Sequence, residues 1–279
     1  MNTARLNHVI MSVLAFSLVG CSIKESREEC PSYLSVIMKA NENVSGSAKL
    51  LGWTSEEVFN GEVEIKPEDC TWVRAVHKDL ITLSALAGNH SDIITGHHLE
   101  IPYGHQADSL FAFHQVVDCT GEEAFAEVVF RKQFCTIHLD INQSASALKR
   151  FRFEVDGNVS GFDLLDFSVS EGPFHFEPSV TPGERVVDFR IPRQKDASMT
   201  VKVFCLPPQK SASGPSLTAA EDYIDMGVFA LGEYIERTGY DWAAEALQDI
   251  YVRIDFVGLT VTVSVAGWED GVTYTLVEQ

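Results

Sequence analysis

The chain has 279 residues, 45% hydrophobic and 22% charged, a balance that builds a packed core and excludes wholesale disorder. Forty acidic residues against 21 basic ones give a formal charge of −19, which argues against a nucleic-acid partner, whose phosphates need clustered Lys and Arg. Six cysteines are too few for a disulfide-dense scaffold, and none stand as a Cys-x-x-Cys pair.

The first segment is a processing signal. Arg5 precedes an apolar run from Val9 to Val19 that is too short to cross a hydrocarbon core of ~30 Å as a stable helix. It ends in Leu18-Val19-Gly20-Cys21, which resembles the bacterial lipobox. In that motif the signal is cut before the cysteine and its thiol carries a diacylglyceryl group. Residues 1–20 therefore read as a lipoprotein signal peptide and Cys21 as the lipidated residue. Several acyl chains, each contributing ~0.8 kcal/mol per buried methylene, make a durable anchor. Removing residues 1–20 takes away Arg5 and no acid, so the mature chain keeps 20 basic and 40 acidic residues. Residues 21–29 continue as an acidic, polar tether.

Beyond the tether, apolar and polar residues alternate with period two, the pattern of half-buried strands. Strands are expected at Tyr33 to Met38, Leu80 to Leu86, Ser109 to Val117, Ala126 to Ile141, Phe151 to Val155, Val186 to Ile191 and Thr200 to Leu206. Pro207 to Pro215 reads as a loop. Thr218 to Arg237 follows helical spacing only in part, and Gly227 and Gly232 interrupt it, so it reads as part helix and part strand. Asp241 to Leu247 looks like a capped turn of helix. The end of the chain is clearest. Ile250, Val252, Ile254 and Phe256 share one face, as do Leu259, Val261, Val263 and Val265. Asp270-Gly271 marks a turn, and Val272, Tyr274 and Leu276 alternate after it. Many short strands separated by turns point to an all-β fold of sandwiches. The expected division is an N-terminal domain at 30–124 and a C-terminal domain at 125–279, with Gln143 to Ala147 as a competing boundary.

Chemistry-bearing motifs are scarce. The sequence has no Gly-x-Ser-x-Gly elbow, P-loop, His-Glu-x-x-His or dinucleotide glycine pattern, so no catalytic residue is assigned and no enzyme is expected. His77, His90, His97, His98, His105 and His114 fall within 38 positions. None are paired at His-x3-His spacing and no Cys or acid stands beside them, so no metal or cofactor is assigned. After Cys21 an odd set remains: Cys30, Cys70, Cys119, Cys135 and Cys205. Four of these could pair in an exported protein, while Cys135 and Cys205 lie in apolar runs and read as buried thiols.

The lipobox, the acidic spacer and Cys30-Pro31 opening the first strand resemble the start of minor fimbrial subunits of Bacteroidales, the anchor branch of the fimbrillin superfamily. Phe130 to Ile137, Leu231 to Ile235, Gly239 to Trp242, Leu247 to Ile250 and the finish, Val261 to Val265 followed by Gly267-Trp268-Glu269, are also similar. The resemblance implies two transthyretin-like β-sandwiches, no catalysis and no cofactor. It also implies partners: outer-membrane lipid through Cys21, and fimbrial stalk subunits joined by strand exchange. Val272, Tyr274 and Leu276 are then the donor-strand candidates, although the same segment also reads as an edge strand of its own sandwich. Stalk subunits of that superfamily are cut by an Arg-directed protease, for which Arg27 and Arg74 are candidate sites here. The rival reading is a surface glycan-binding lipoprotein, for which Trp53, Trp72, Trp242 and Trp268 are the available tryptophans.

Overall fold

A computed structural model describes residues 30–39, 44, 46–66, 70–142, 150–180, 186–206, 223–255, 260–265 and 272–275. The described residues are nearly all strand, with one short helix, α1 (Leu231–Glu236). Cys21, Arg27, the 207–215 loop, Trp268 and Leu276 lie outside them.

Two pairs of sheets enclose two apolar cores. In the first pair, β1 (Ser32–Met38) lies between β4 (Cys70–Val76) and β9 (Glu123–Val128). The facing sheet runs β10 (Arg131–Lys132), β8 (Phe111–Asp118), β5 (Leu80–Ala87), β2 (Gly46–Trp53), β3 (Val58–Ile65). Alternation drives this arrangement: Leu34, Val36 and Met38 turn into the core beside Leu50, Leu83, Ala126 and Val128. Each large apolar side chain fully buried there contributes roughly 1.5–3 kcal/mol.

The second pair begins with β14 (Val186–Pro192), β11 (Phe134–Asn142), β17 (Ile250–Asp255), β18 (Thr260–Val265) and β19 (Val272–Thr275), in that order. Opposite it run β16 (Ile224–Phe229), β15 (Thr200–Leu206), β12 (Arg150–Asp163), β7 (His98–Glu100) and β6 (Ile93–Thr95), with β13 (Val169–Phe176) also paired to β12. Ile137, Leu139, Phe153, Phe189, Val203, Val252 and Val263 fill the core, and α1 closes one side with Leu231 and Ile235.

The two halves share a plan that no sequence repeat announces. In each, the first strand is flanked by an antiparallel and a parallel neighbour: β1 by β4 and β9, β11 by β14 and β17. Alternation is enough to set such a plan, so the side chains need not repeat.

The expected strand from Ala126 to Ile141 is three strands, because the chain crosses from one core to the other there. Phe130 fills the first core and Cys135 the second, with Gln133 between them. The division expected after position 124 falls inside β9, whose Ala124, Ala126 and Val128 are all buried in the first core. Phe151 to Val155 is only the start of the 14-residue β12. Asp241 does cap its turn, accepting Ala243 N–H at 2.8 Å, but no helix follows, because Leu247 N–H turns to the Lys132 carbonyl. The stretch before it is strand β16 and then α1, as its mixed spacing suggests.

The hairpin β6–β7 precedes β8 in sequence yet joins the second sandwich, where β7 pairs with β12. Its root is held by Asp108, whose carboxylate accepts the N–H groups of His90, Ser91 and Asp92 at 2.6–2.9 Å. A third cluster of Leu51, Leu86, Leu99, Leu110, Phe162 and Leu164 packs the hairpin and β12 against the outer side of the first sandwich.

Among the described residues all five cysteines are thiols: Cys30 is exposed, Cys70 half-buried, and Cys119, Cys135 and Cys205 are buried. Burial, aided by the Asp118 charge, pushes the Cys119 thiol up to about 11, and burial pushes Cys135 up to about 12. A thiolate is the reactive species, so both are inert in the folded chain. A lipid-free chain starting at Ser22, treated with a thiol-specific chromogenic reagent at pH 8, should release colour for Cys30 and slowly for Cys70. The other three should react only after unfolding in denaturant; five equivalents in the native state would contradict this packing.

Candidate assembly surfaces

The first strand, β1, is held along both edges. All seven residues of β1 face β4 and six of them also face β9. Its inward side chains Leu34 and Val36 are wholly buried, while Tyr33 is exposed, as are Val73 and Phe125, which flank Ser35 on the neighbouring strands. Arg74 is not a loop arginine: it sits in β4 opposite Leu34, with its guanidinium 4.7 Å over the Phe59 ring. A protease needs its substrate extended and detached, and cutting at Arg74 would first require stripping β4 from β1.

The other end of the chain is held differently. Among the described residues β19 is the terminal strand of its sheet and pairs only with β18, in the register Val263↔Val272 and Val261↔Tyr274. Val261 and Val263 are buried, so two of the donor-strand candidates stand opposite core positions. Four residues of pairing hold β19, against a strand flanked on both sides in β1.

Between these ends the sandwiches meet at a polar junction. Lys132 Nζ donates to Asp249 Oδ1 at 2.5 Å, and the same oxygen accepts Thr136 N–H at 2.7 Å. Burial works against the Asp249 carboxylate, but Lys132 and the Thr136 N–H outweigh it and hold its pKa below the usual range. Arg193 donates to Gln133 Oε1 at 3.0 Å and to the Trp242 carbonyl, and Arg131 pairs with Glu245 at 3.0 Å. The segments Phe130 to Ile137, Gly239 to Trp242 and Leu247 to Ile250, scattered in sequence, are thus neighbours here. Arg193 escaped sequence reading because nothing near it in the chain marks it; its partners are 49 and 60 residues away.

A groove of about 530 Å³ opens beside this junction, lined by Phe113, Val129, Arg131, Gln133, Arg193 and Glu245 among others. The described tryptophans do not line it. Trp72 stacks on Phe59, Trp242 packs on the second core beside Tyr240, and Trp53 lies against the third cluster. No arrangement of nucleophile, base and oxyanion donors occurs among the described residues in this groove.

The Lys132–Asp249 contact should carry measurable stability. Lys132→Met removes the cation from a half-buried carboxylate and should cost about 1 kcal/mol in denaturant unfolding at pH 7, a charged hydrogen bond partly screened by solvent. Because the folded pKa of Asp249 is depressed, the contribution is present above the unfolded carboxylate pKa and lost as pH falls through the folded value. The difference between wild type and variant should therefore shrink in strong acid; an undiminished gap would contradict the assignment.

No family model matches the sequence, and no curated protein matches it either. Solved structures do match. A candidate polysaccharide-binding protein from Bacteroides thetaiotaomicron aligns over 88% of this chain and 99% of its own, with 14% identity and a TM-score of 0.59. A candidate adhesin from the same organism aligns over 84% and 96%, with 14% identity and a TM-score of 0.53. The fimbrial anchor protein Mfa2 from Porphyromonas gingivalis aligns over 86% and 98%, with 11% identity and a TM-score of 0.53. The chain shares its two-sandwich fold, over nearly the full length of each, with fimbrial and adhesin-type proteins of Bacteroides and Porphyromonas.

Proposed function

We propose that the chain is a lipid-anchored minor fimbrial subunit of the fimbrillin superfamily, holding the fimbria to the outer membrane through Cys21 and joining the next subunit by strand exchange. The observation that carries this reading is the contrast between the two ends. Cys21 precedes β1 by eleven residues, so the lipid pulls through a tether of at most about 40 Å on a strand bonded along both edges. Ladder bonds loaded together resist better than bonds loaded one at a time, which suits an anchored end. Among the described residues β19 has one neighbour, so it can leave without opening β1.

Strand addition would use this asymmetry. A released C-terminal segment offers a full row of backbone donors and acceptors, and Val272, Tyr274 and Leu276 supply side chains at alternate positions to fill pockets in the neighbour. The net negative charge keeps the body of the subunit off an anionic lipid surface while the acyl chains hold its first residue. Arg74 is tied into β4 by its pairing with β1, and the anchor reading requires Arg27 to stay uncut. The shared fold with a fimbrial anchor protein supports the same reading. The rival reading, a glycan-binding surface lipoprotein, is favoured by the shared fold with a candidate polysaccharide-binding protein, but the junction groove lacks a tryptophan platform.

Cys21→Ala in the native cell should release fimbriae into the medium while leaving them assembled. Fimbriae retained at the cell would overturn the anchor role. Deleting residues 272–279 should abolish co-purification with the adjoining stalk subunit without unfolding the first sandwich. Unchanged co-purification would remove the donor-strand assignment, and glycan-array binding by the same lipid-free protein would favour the rival.

A further inference from the structure

The fold disperses most of the histidines that cluster in the sequence. His77 reaches Glu56 at 3.6 Å on the surface, and His114 lies half-buried beside Phe167. His97 and His98 behave differently. They stand at the turn and first residue of the β6–β7 hairpin, and both face Asp163 at the end of β12. His97 Nδ1 is 3.0 Å from Asp163 Oδ1, and His98 Nδ1 is 3.9 Å from Asp163 Oδ2. Donor atoms of the three residues all lie within 4.8 Å of one another.

We propose that His97, His98 and Asp163 bind one divalent transition-metal ion of the zinc type, which ties the β6–β7 hairpin to β12. The donor set selects the class: two imidazoles and a carboxylate suit zinc, cobalt or nickel, whereas calcium and magnesium take oxygen ligands. The spacing fits as well. A tetrahedral ion with bonds of 2.0–2.1 Å separates its ligand atoms by about 3.3 Å, inside the 4.8 Å that spans one donor atom from each of the three residues.

The donors are held by backbone rather than by long mobile stems. His98 and Asp163 are direct partners in the β7–β12 register. The His97 carbonyl accepts Leu164 N–H at 2.7 Å, and Asp163 Oδ1 accepts Leu165 N–H at 2.9 Å, which fixes the carboxylate from behind. Gly161 makes the close strand approach possible: a Cβ there would sit 1.9 Å from the Leu99 carbonyl oxygen. Below the three donors Leu99, Phe162 and Leu164 are buried and form a dry floor. Above them the side chains of His97, His98 and Asp163 remain 38%, 58% and 26% exposed, which gives an ion entry and leaves its fourth position to water.

Without metal, His97 Nδ1 and Asp163 Oδ1 share a hydrogen bond of 3.0 Å; with an ion bound at Nδ1, a ring proton would sit on Nε2. The consequence is mechanical: a hairpin encoded between two strands of the first sandwich is cross-linked to the longest strand of the second. This holds whether or not the chain belongs to a fimbria.

The test is titration of the lipid-free chain from Ser22 with Zn²⁺ by calorimetry, and with Co²⁺ by its tetrahedral visible absorption. One ion per chain is expected, with a higher unfolding midpoint in Zn²⁺. Asp163→Asn and His98→Gln should each weaken Zn²⁺ binding at least about tenfold and remove the stabilisation, while His77→Gln leaves both unchanged. His98 is exposed and its variant should fold, which circular dichroism without metal would verify. Absence of a stoichiometric site in the wild type, or binding unmoved by both His98→Gln and Asp163→Asn, overturns the proposal.

Discussion

Two parallel strand pairings, β1 with β9 and β11 with β17, are the constraint on which the rest of the structure depends. Parallel neighbours cannot be joined by a tight turn, so each pairing closes a long stretch of chain on itself and encloses one sandwich. The strands between are then forced into two layers whose inward residues make the core. Within the second pairing Asp140, itself buried, accepts Arg253 Nε at 2.8 Å from the position directly opposite. Register is thereby fixed by charge as well as by the alternation of Leu139 and Ile141 with Val252 and Ile254. Closing such distant contacts before any reward arrives makes folding slow and leaves edges exposed meanwhile.

The same topology separates the ends of the chain by their mechanical standing. A strand central to its sheet must lose two ladders to move, and a terminal strand loses one. Both Tyr33 to Met38 and Val272 to Leu276 read as strand in the sequence. Their difference is a property of strand order, and on the proposed reading it is strand order that would suit one end to a lipid tether and the other to a neighbour.

How much was legible in the sequence follows from this. Thr200–Leu206 and Ile250–Asp255 could be read residue by residue because each alternates around one buried face. β2, β3 and β4 could not. Asn60-Gly61 spells a turn yet lies in mid-strand, because Gly61 makes room for Trp72, whose indole would come within 2.8 Å of a Cβ there. The hairpin β6–β7, with three residues to each strand, is too short to show a period and exists because β12 and the third cluster hold it. The lipobox-like Leu18-Val19-Gly20-Cys21 is a local pattern that needs no fold to be seen, and it lies outside the described residues. The approach of His97 and His98 to a carboxylate 66 residues beyond His97 needs the register of β7 on β12, which no local pattern encodes. Lys132 and Asp249 likewise meet only after β11 and β17 have paired, although both lie in segments that carry the family likeness.

If β1 is locked between two neighbours and β19 is releasable from one, native-state hydrogen exchange on the lipid-free chain tests the difference most directly. Amides of Leu34 to Met38 should exchange only with global unfolding, while those of positions 272–275 exchange at far lower opening free energy and do so without disturbing β1. If β1 opened as readily as β19, or if the two opened together, the division of roles between the ends of the chain would be contradicted.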